Sequence, residues 1–157
     1  MNALTPKLLL HPVHLLSLGF GAGYAPRAPG TAGTLVGVLV CLPVQYLPWT
    51  YQLALVAVLY AAGVWLCART AAALGVHDHP GIVFDEIVGF LAAMIAAPRG
   101  WGWILLGFVC FRLFDIFKPW PISLLDRGLK GGNGIMADDL LAGLFSLTVI
   151  QIIAYIL

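Results

Sequence analysis

The sequence predicts an all-α membrane protein, a compact bundle of about five transmembrane helices preceded by a short N-terminal interfacial or re-entrant helix. Two observations carry that expectation. The chain of 157 residues is 61% hydrophobic and only 10% charged, with a mean hydropathy of +0.97, far outside the mix of a soluble domain. Its apolar residues also fall into long runs separated by Pro, Gly and charge, the pattern of successive membrane passes. Helices of about twenty residues consume nearly the whole chain, so a single domain is expected and the connections must carry the chemistry.

Near the N-terminus, Lys7 precedes Leu8-Leu9-Leu10, and Ala22 to Ala25 loosely imitates a signal-peptidase site. His11, Pro12 and His14 interrupt the apolar stretch, which favours a short helix at the interface over a cleaved signal. The five candidate spans are Thr31–Leu47, Tyr51–Leu74, Ile82–Ala97, Trp101–Phe117 and Asp138–Leu157, the third being short for a full crossing. Pro48-Trp49, the stretch from Gly75 to Gly81, Pro98-Arg99-Gly100 and the stretch from Lys118 to Ala137 separate them.

If each span crosses once, the segments before the first, between the second and third, and between the fourth and fifth share one side. Those are the polar segments. Lys7, Arg27, Arg69, Arg112, Lys118, Arg127 and Lys130 lie in or near them, whereas the opposite turns hold only Arg99. The positive-inside rule then puts the polar side in the cytoplasm. Trp49, Trp101 and Trp103 at the opposite turns and Trp120 at the polar face suit headgroup-level anchors.

A net charge of +1 excludes nucleic-acid binding, which needs a basic stripe neutralising many phosphates. Cys41, Cys67 and Cys110 are far apart inside apolar runs, which suggests packed free thiols and neither disulfides nor a zinc site. No sequence signal sets an oligomeric state.

All seven acidic residues, Asp78, Asp85, Glu86, Asp115, Asp126, Asp138 and Asp139, fall in or beside the polar segments. A carboxylate at the edge of a bilayer is costly unless paired, hydrated or metal-bound, so the group reads as functional; solvated loop charges are the bland alternative. Asp85-Glu86 and Asp138-Asp139 each open a predicted helix, the latter after the run Gly131-Gly132-Asn133-Gly134. Acidic first turns can merely complement the helix dipole, but two such pairs on one face suit Mg²⁺, which takes oxygen ligands and keeps waters for a phosphate to replace. Arg112, Asp115 and Lys118 occur at i, i+3 and i+6 in an otherwise apolar helix; that spacing fits a salt-bridge ladder or a polar cavity. His77-Asp78-His79 offers a proton carrier or a plain solvated turn, with His79 preferred over His77. Gly30-Thr31, helped by Arg27, leads into a helix start that can bind an anion or simply pack closely.

These residues, taken in order, resemble a known family. The matching stretches are His14-Leu15-Leu16 through Gly19-Phe20-Gly21, Ala28-Pro29-Gly30-Thr31, Val76-His77-Asp78-His79, Ile82-Val83-Phe84-Asp85-Glu86, Phe111-Arg112, Asp115, Lys118-Pro119-Trp120-Pro121-Ile122, Asp126-Arg127, Gly131 through Met136, and Asp138-Asp139. The chain is similar to phosphatidylglycerophosphatase A from about His14 to Gly143. Phe84 stands where Trp is expected, Ala22 where Ser is common and Asn133 where Met is frequent. The resemblance implies a Mg²⁺-dependent, multi-pass phosphatase of the bacterial inner membrane, its active site on the cytoplasmic face, converting the phospholipid phosphatidylglycerophosphate to phosphatidylglycerol.

On that basis Asp85, Glu86, Asp138 and Asp139 are expected to hold the metal. Arg27, Thr31, Arg112, Lys118 and Arg127 are expected at the substrate phosphate. Asp115, His79, Arg112 and Lys118 are the catalytic candidates, with either a water or an Asp115 carboxylate as nucleophile. A small ion-coupled transporter is the alternative, and it would carry ionisable groups near the bilayer midplane.

Overall fold

The computed structural model describes residues 4–157, and among these residues it is entirely helical, with no strand. Two short 3₁₀ segments, Pro6–Leu10 and Gly19–Tyr24, flank α1 (Pro12–Ser17). The remaining helices are α2 (Pro29–Val44), α3 (Trp49–Leu74), α4 (Phe84–Ala93), α5 (Trp101–Phe117), α6 (Ile122–Gly128) and α7 (Gly131–Ile156).

Two of them, α3 and α7, are long and apolar enough to cross a membrane, at 26 residues each. Only 28% of the apolar window of either helix is buried inside the protein. A water-soluble core helix would be mostly covered, so these surfaces, with exposed Leu53, Val58, Leu144 and Ile152, need an apolar solvent. The protein is membrane-associated. α2 and α5 have 16 and 17 residues, a little short of a straight span.

The predicted third span is the largest departure. It was expected over Ile82–Ala97 but α4 has only 10 residues. Ile82 and Val83 are taken out of the helix because the Val83 N–H donates to the Ser17 carbonyl (2.9 Å) at the end of α1, and Ala96 closes the other end with a left-handed φ of 54°. α4 is instead the central post: nine of its ten residues are buried, and it packs chiefly against α7 and α2. Its far end is tied down by glutamines. Gln52 Oε1 accepts the Ala96 N–H at 3.0 Å, Gln151 Nε2 donates to the Ile95 carbonyl at 3.2 Å, and Gln45 Oε1 accepts the Gly100 N–H at 3.4 Å. α4 rises only about 15 Å, so it is the turn after Ala93, not the helix itself, that meets Gln52 near the start of α3.

Other boundaries also moved. α7 starts at Gly131, so Gly131-Gly132-Asn133-Gly134 is its first turn, and Asp138-Asp139 sit two turns inside the helix instead of opening it. The glycines are helical here because a side chain at Gly132 would strike the Val64 carbonyl of α3; close packing overrides their poor helix propensity. α2 starts two residues earlier than expected, with Pro29 in its first turn after Ala28 in the left-handed region. The long predicted connection after Phe117 contains α6. The N-terminal segment folds back onto α3, where His14 Nδ1 lies 2.9 Å from Thr70 Oγ1.

Helices α4 and α7 approach at glycines. A Cβ on Gly143 would overlap the Gly89 carbonyl, and one on Gly89 would stand 2.7 Å from both the Asp139 carbonyl and the Phe111 ring. Gly89→Ala is expected to lose about 1–3 kcal/mol through overpacking, read as an earlier thermal transition in detergent. Gly102→Ala, with nothing within 4 Å of the added carbon, should melt like the parent.

Candidate active site

The elements converge on one cavity of about 310 Å³ at the end of the bundle where α4 begins. The first turn of α4 supplies Asp85 and Glu86, the third turn of α7 supplies Asp138 and Asp139, and the last turns of α5 supply Arg112 and Asp115. Lys118 lies at the end of α5 with a left-handed φ of 42°, followed by Pro119, so the helix stops and the ammonium turns back toward the cavity.

Asp85, Glu86 and Asp139 form the core of the arrangement. Each offers a carboxylate oxygen, and these oxygens all lie within 4.8 Å of one another. Asp85 and Asp139 are only 9% and 4% exposed, and Asp85 Oδ1 and Glu86 Oε2 are buried with no hydrogen-bond partner among the described residues. None of the three has a lysine or arginine at ion-pair distance. Close-set carboxylates with no basic partner are costly to bury and form the donor set that a cation site requires. The three side chains could hold a metal ion, and an all-carboxylate donor set fits a hard divalent cation, not a thiophilic one.

The cations stand around this triad and are paired with other acids. Arg112 Nη1 bonds Asp115 Oδ2 at 2.5 Å and approaches Thr34 Oγ1 at 3.4 Å, while the Thr34 hydroxyl donates to the Gly30 carbonyl at 2.8 Å. Lys118 Nζ donates to Asp126 Oδ1 at 2.5 Å and Asp138 Oδ2 at 2.6 Å. Burial alone would lower the Lys118 pKa, but these two carboxylates outweigh it and raise it, so the ammonium stays charged. His79 Nδ1 accepts the Gly81 N–H at 3.0 Å, which leaves Nε2 as the proton-bearing nitrogen of the neutral ring.

The sequence candidates therefore divide. Asp85, Glu86, Asp115, Asp138, Asp139, Arg112, Lys118 and His79 all line the cavity, whereas Arg27, Thr31 and Arg127 do not, and both of those arginines are exposed. Asp138 stands with Lys118, apart from the carboxylate triad. Sequence reasoning did not single out Thr34, and it named Gly30 only as part of a helix start and Asp126 only as one of the seven acids. Thr34 follows Gly30 by one helical turn, a spacing that could have joined them; no periodicity links Lys118 to Asp126 across the intervening prolines.

Comparison with known proteins identifies the family. The phosphatidylglycerophosphatase A family model matches residues 15–154. The chain belongs to that family. It is 42% identical over 146 residues to phosphatidylglycerophosphatase A of Escherichia coli K12, covering 92% of this chain and 85% of that one. It is 44% identical over 156 residues to the protein of the same name from Haemophilus influenzae, covering 98% and 96%. A Bacteroides thetaiotaomicron protein named provisionally as a phosphatidylinositol-3-phosphatase is 36% identical over 152 residues, covering 91% and 94%. No solved structure matches the chain.

Gly30 is the tighter of the two glycines that line this cavity. An added Cβ would collide with Glu86 Oε1 and lie 3.1 Å from Arg112 Nη1. Gly30→Ala should therefore weaken divalent-cation binding about tenfold or more, the equivalent of roughly 1.4 kcal/mol. Titration of Mn²⁺ followed by electron paramagnetic resonance reads this out, and an unchanged affinity would separate Gly30 from the metal-holding geometry.

Proposed function

We propose that the protein hydrolyses the terminal phosphomonoester of phosphatidylglycerophosphate to give phosphatidylglycerol, using Mg²⁺ at the cytoplasmic face of the bacterial inner membrane. The observation that carries this reading is the close-set cluster of Asp85, Glu86 and Asp139 facing a cavity that also holds Arg112 and Lys118. Family membership supplies the substrate class, since both phosphatidylglycerophosphatase relatives carry that activity in their names.

The cavity suits a lipid headgroup. Ile116 and Leu129 line it, and Phe117, Trp120 and Leu124 nearby are 75%, 75% and 56% exposed, so a charged floor lies beside apolar surface that can meet acyl chains. A transporter would need ionisable groups along a path. Here the acidic side chains cluster at one end of the bundle, and glutamine-to-backbone hydrogen bonds close the other.

Asp85, Glu86 and Asp139 would hold Mg²⁺. When bound it supplies Lewis-acid polarisation of the phosphoryl group and offsets its charge. Arg112, oriented by Asp115 and Thr34, presents its guanidinium to the phosphoryl oxygens, and Lys118 adds a second positive charge. Because Asp115 is tied to Arg112, it serves better as the residue that positions the guanidinium than as a nucleophile. A water therefore attacks phosphorus; its proton passes to Asp138 Oδ1, which is buried without a partner. The phosphorus–oxygen bond to the glycerol breaks, the leaving oxygen takes its proton from solvent, and the His79 Nε2–H is placed to hydrogen-bond that oxygen as it leaves.

We further assign one single membrane-embedded domain with about five passes, made by α2, α3, α4 with its closing turn, α5 and α7. Positive charge is concentrated at the catalytic end, with only Arg99 at the other.

Purified protein should release inorganic phosphate from phosphatidylglycerophosphate with Mg²⁺ and stop on chelation. Glu86→Gln and Asp139→Asn should each lower kcat by about 10²-fold or more while the fold persists, and parental rates in either variant would remove that residue from the site. Solvent ¹⁸O should enter the released phosphate with no trapped phospho-enzyme; a trapped adduct would restore Asp115 as nucleophile. In a cysteine-free background, single cysteines at Asp78 and Asn133 should label from the cytoplasm and those at Thr50 and Gly102 from the opposite side. Asp78 and Asn133 labelling from different sides would overturn the topology.

A further inference from the structure

On the outer face of α3, a second cavity of about 400 Å³ is lined by His11, His14, Trp65 and Arg69 among its residues, and it shares none with the catalytic cavity. No carboxylate lines it. Arg69 has no acidic partner at ion-pair distance among the described residues; its guanidinium stacks 5.6 Å above the exposed Trp65 ring. The His11 and His14 rings lie 5.1 Å apart. His11 Nδ1 accepts the Val13 N–H at 3.3 Å, which leaves Nε2–H as a donor. Burial and the adjacent His11 push the His14 pKa down, the direction expected where no anion is at hand. Three nitrogen-bearing side chains thus face one recess with no negative charge to satisfy them.

The position tells what that charge is attached to. Arg69 lies five residues before Leu74, the end of α3 that leads into the His77–His79 turn at the catalytic cavity. That is about 8 Å of helix rise, the depth at which Trp and Arg meet lipid headgroups. Below it, Val58, Ala62 and Trp65 continue the same helical stripe and are exposed. A cationic recess above an exposed apolar track matches an anionic headgroup above acyl chains. A free phosphate ion would use only the upper half.

We propose that this cavity is a non-catalytic binding site for the phosphodiester headgroup of an anionic diacyl phospholipid of the surrounding leaflet. Arg69 contacts the phosphate, the two histidines donate to its oxygens, and Trp65 packs on the glycerol and upper acyl region. The site is also joined to the catalytic centre by backbone: α1, which carries His14, accepts the Val83 N–H at the Ser17 carbonyl (2.9 Å), and Val83 directly precedes the turn bearing Asp85 and Glu86. A lipid that fixes α1 thereby fixes the start of α4.

The test is independent of turnover. Full-length protein in detergent, titrated with phosphatidylglycerol or phosphatidylcholine and followed by native mass spectrometry, should retain one phosphatidylglycerol in preference to phosphatidylcholine. Arg69→Gln, and separately the pair His11→Ala with His14→Ala, should each weaken that adduct about tenfold, the loss of one or two charge-assisted hydrogen bonds. Lys118→Ala, in the catalytic cavity, should leave it unchanged, and inorganic phosphate at millimolar concentration should not displace it. Equal retention of phosphatidylcholine, undiminished binding in both Arg69→Gln and the histidine pair, loss of the adduct in Lys118→Ala, or displacement by inorganic phosphate would each overturn the proposal.

Discussion

The constraint on which the rest of the structure depends is the burial of three carboxylates, Asp85, Glu86 and Asp139, with oxygens within 4.8 Å of one another. At that separation, an effective dielectric of about 20 gives roughly 3–4 kcal/mol of repulsion for each ionised pair. No lysine or arginine contacts them, because Arg112 is taken by Asp115 and Lys118 by Asp126 and Asp138. The fold nevertheless forces them together: Gly89 and Gly143 allow α4 and α7 to approach backbone to backbone, which holds the α4 carboxylates against Asp139. Helix packing and the closeness of the carboxylates are in this sense one property. Tight glycine contacts fix positions that electrostatics alone would spread apart.

The same constraint explains why α4 is short. A full-length apolar helix would carry its first turn, and the charges on it, further from the centre of the bundle. Starting α4 only at Phe84, with the Val83 N–H held by the Ser17 carbonyl, keeps Asp85 and Glu86 beside Asp139. The cavity is the gap left by that shortening, walled by the turn at His77–His79 and by α6.

Much of this was legible in the sequence for definite reasons. Trp101–Phe117 was bounded correctly because Gly100 and Lys118-Pro119 punctuate it on both sides. The Arg112–Asp115 pair follows from i, i+3 spacing, and Asp85, Glu86, Asp138 and Asp139, expected together on one face, line the one cavity. The start of α7 was not legible. A Gly-Gly-Asn-Gly run has the propensity of a break, and only its fit against the Val64 carbonyl makes it helical. The length of α4 depends on Val83 bonding a residue 66 positions earlier, which no local pattern carries. Asp138 and Asp139 look equivalent as neighbours, yet successive helical residues point about 100° apart, so one joins the carboxylate cluster and the other faces Lys118.

Arg112, largely covered and paired with an acid, and Arg69, exposed and stacked on an aromatic ring, show how one side chain can serve different phosphate chemistries. Arg112 is braced by Asp115 and Thr34. Its geometry is set before any ligand arrives, which favours stabilising charge that develops during reaction. Arg69 is held only by the face of Trp65, which fixes its height along α3 and leaves its donors free. A phosphodiester carries one negative charge and undergoes no reaction here, so it needs a counter-ion at the correct depth and nothing more. A phosphomonoester about to be cleaved accumulates charge and needs donors that do not move. The bracing of each guanidinium, more than its presence, separates a site that binds a lipid phosphate from one that can cut it.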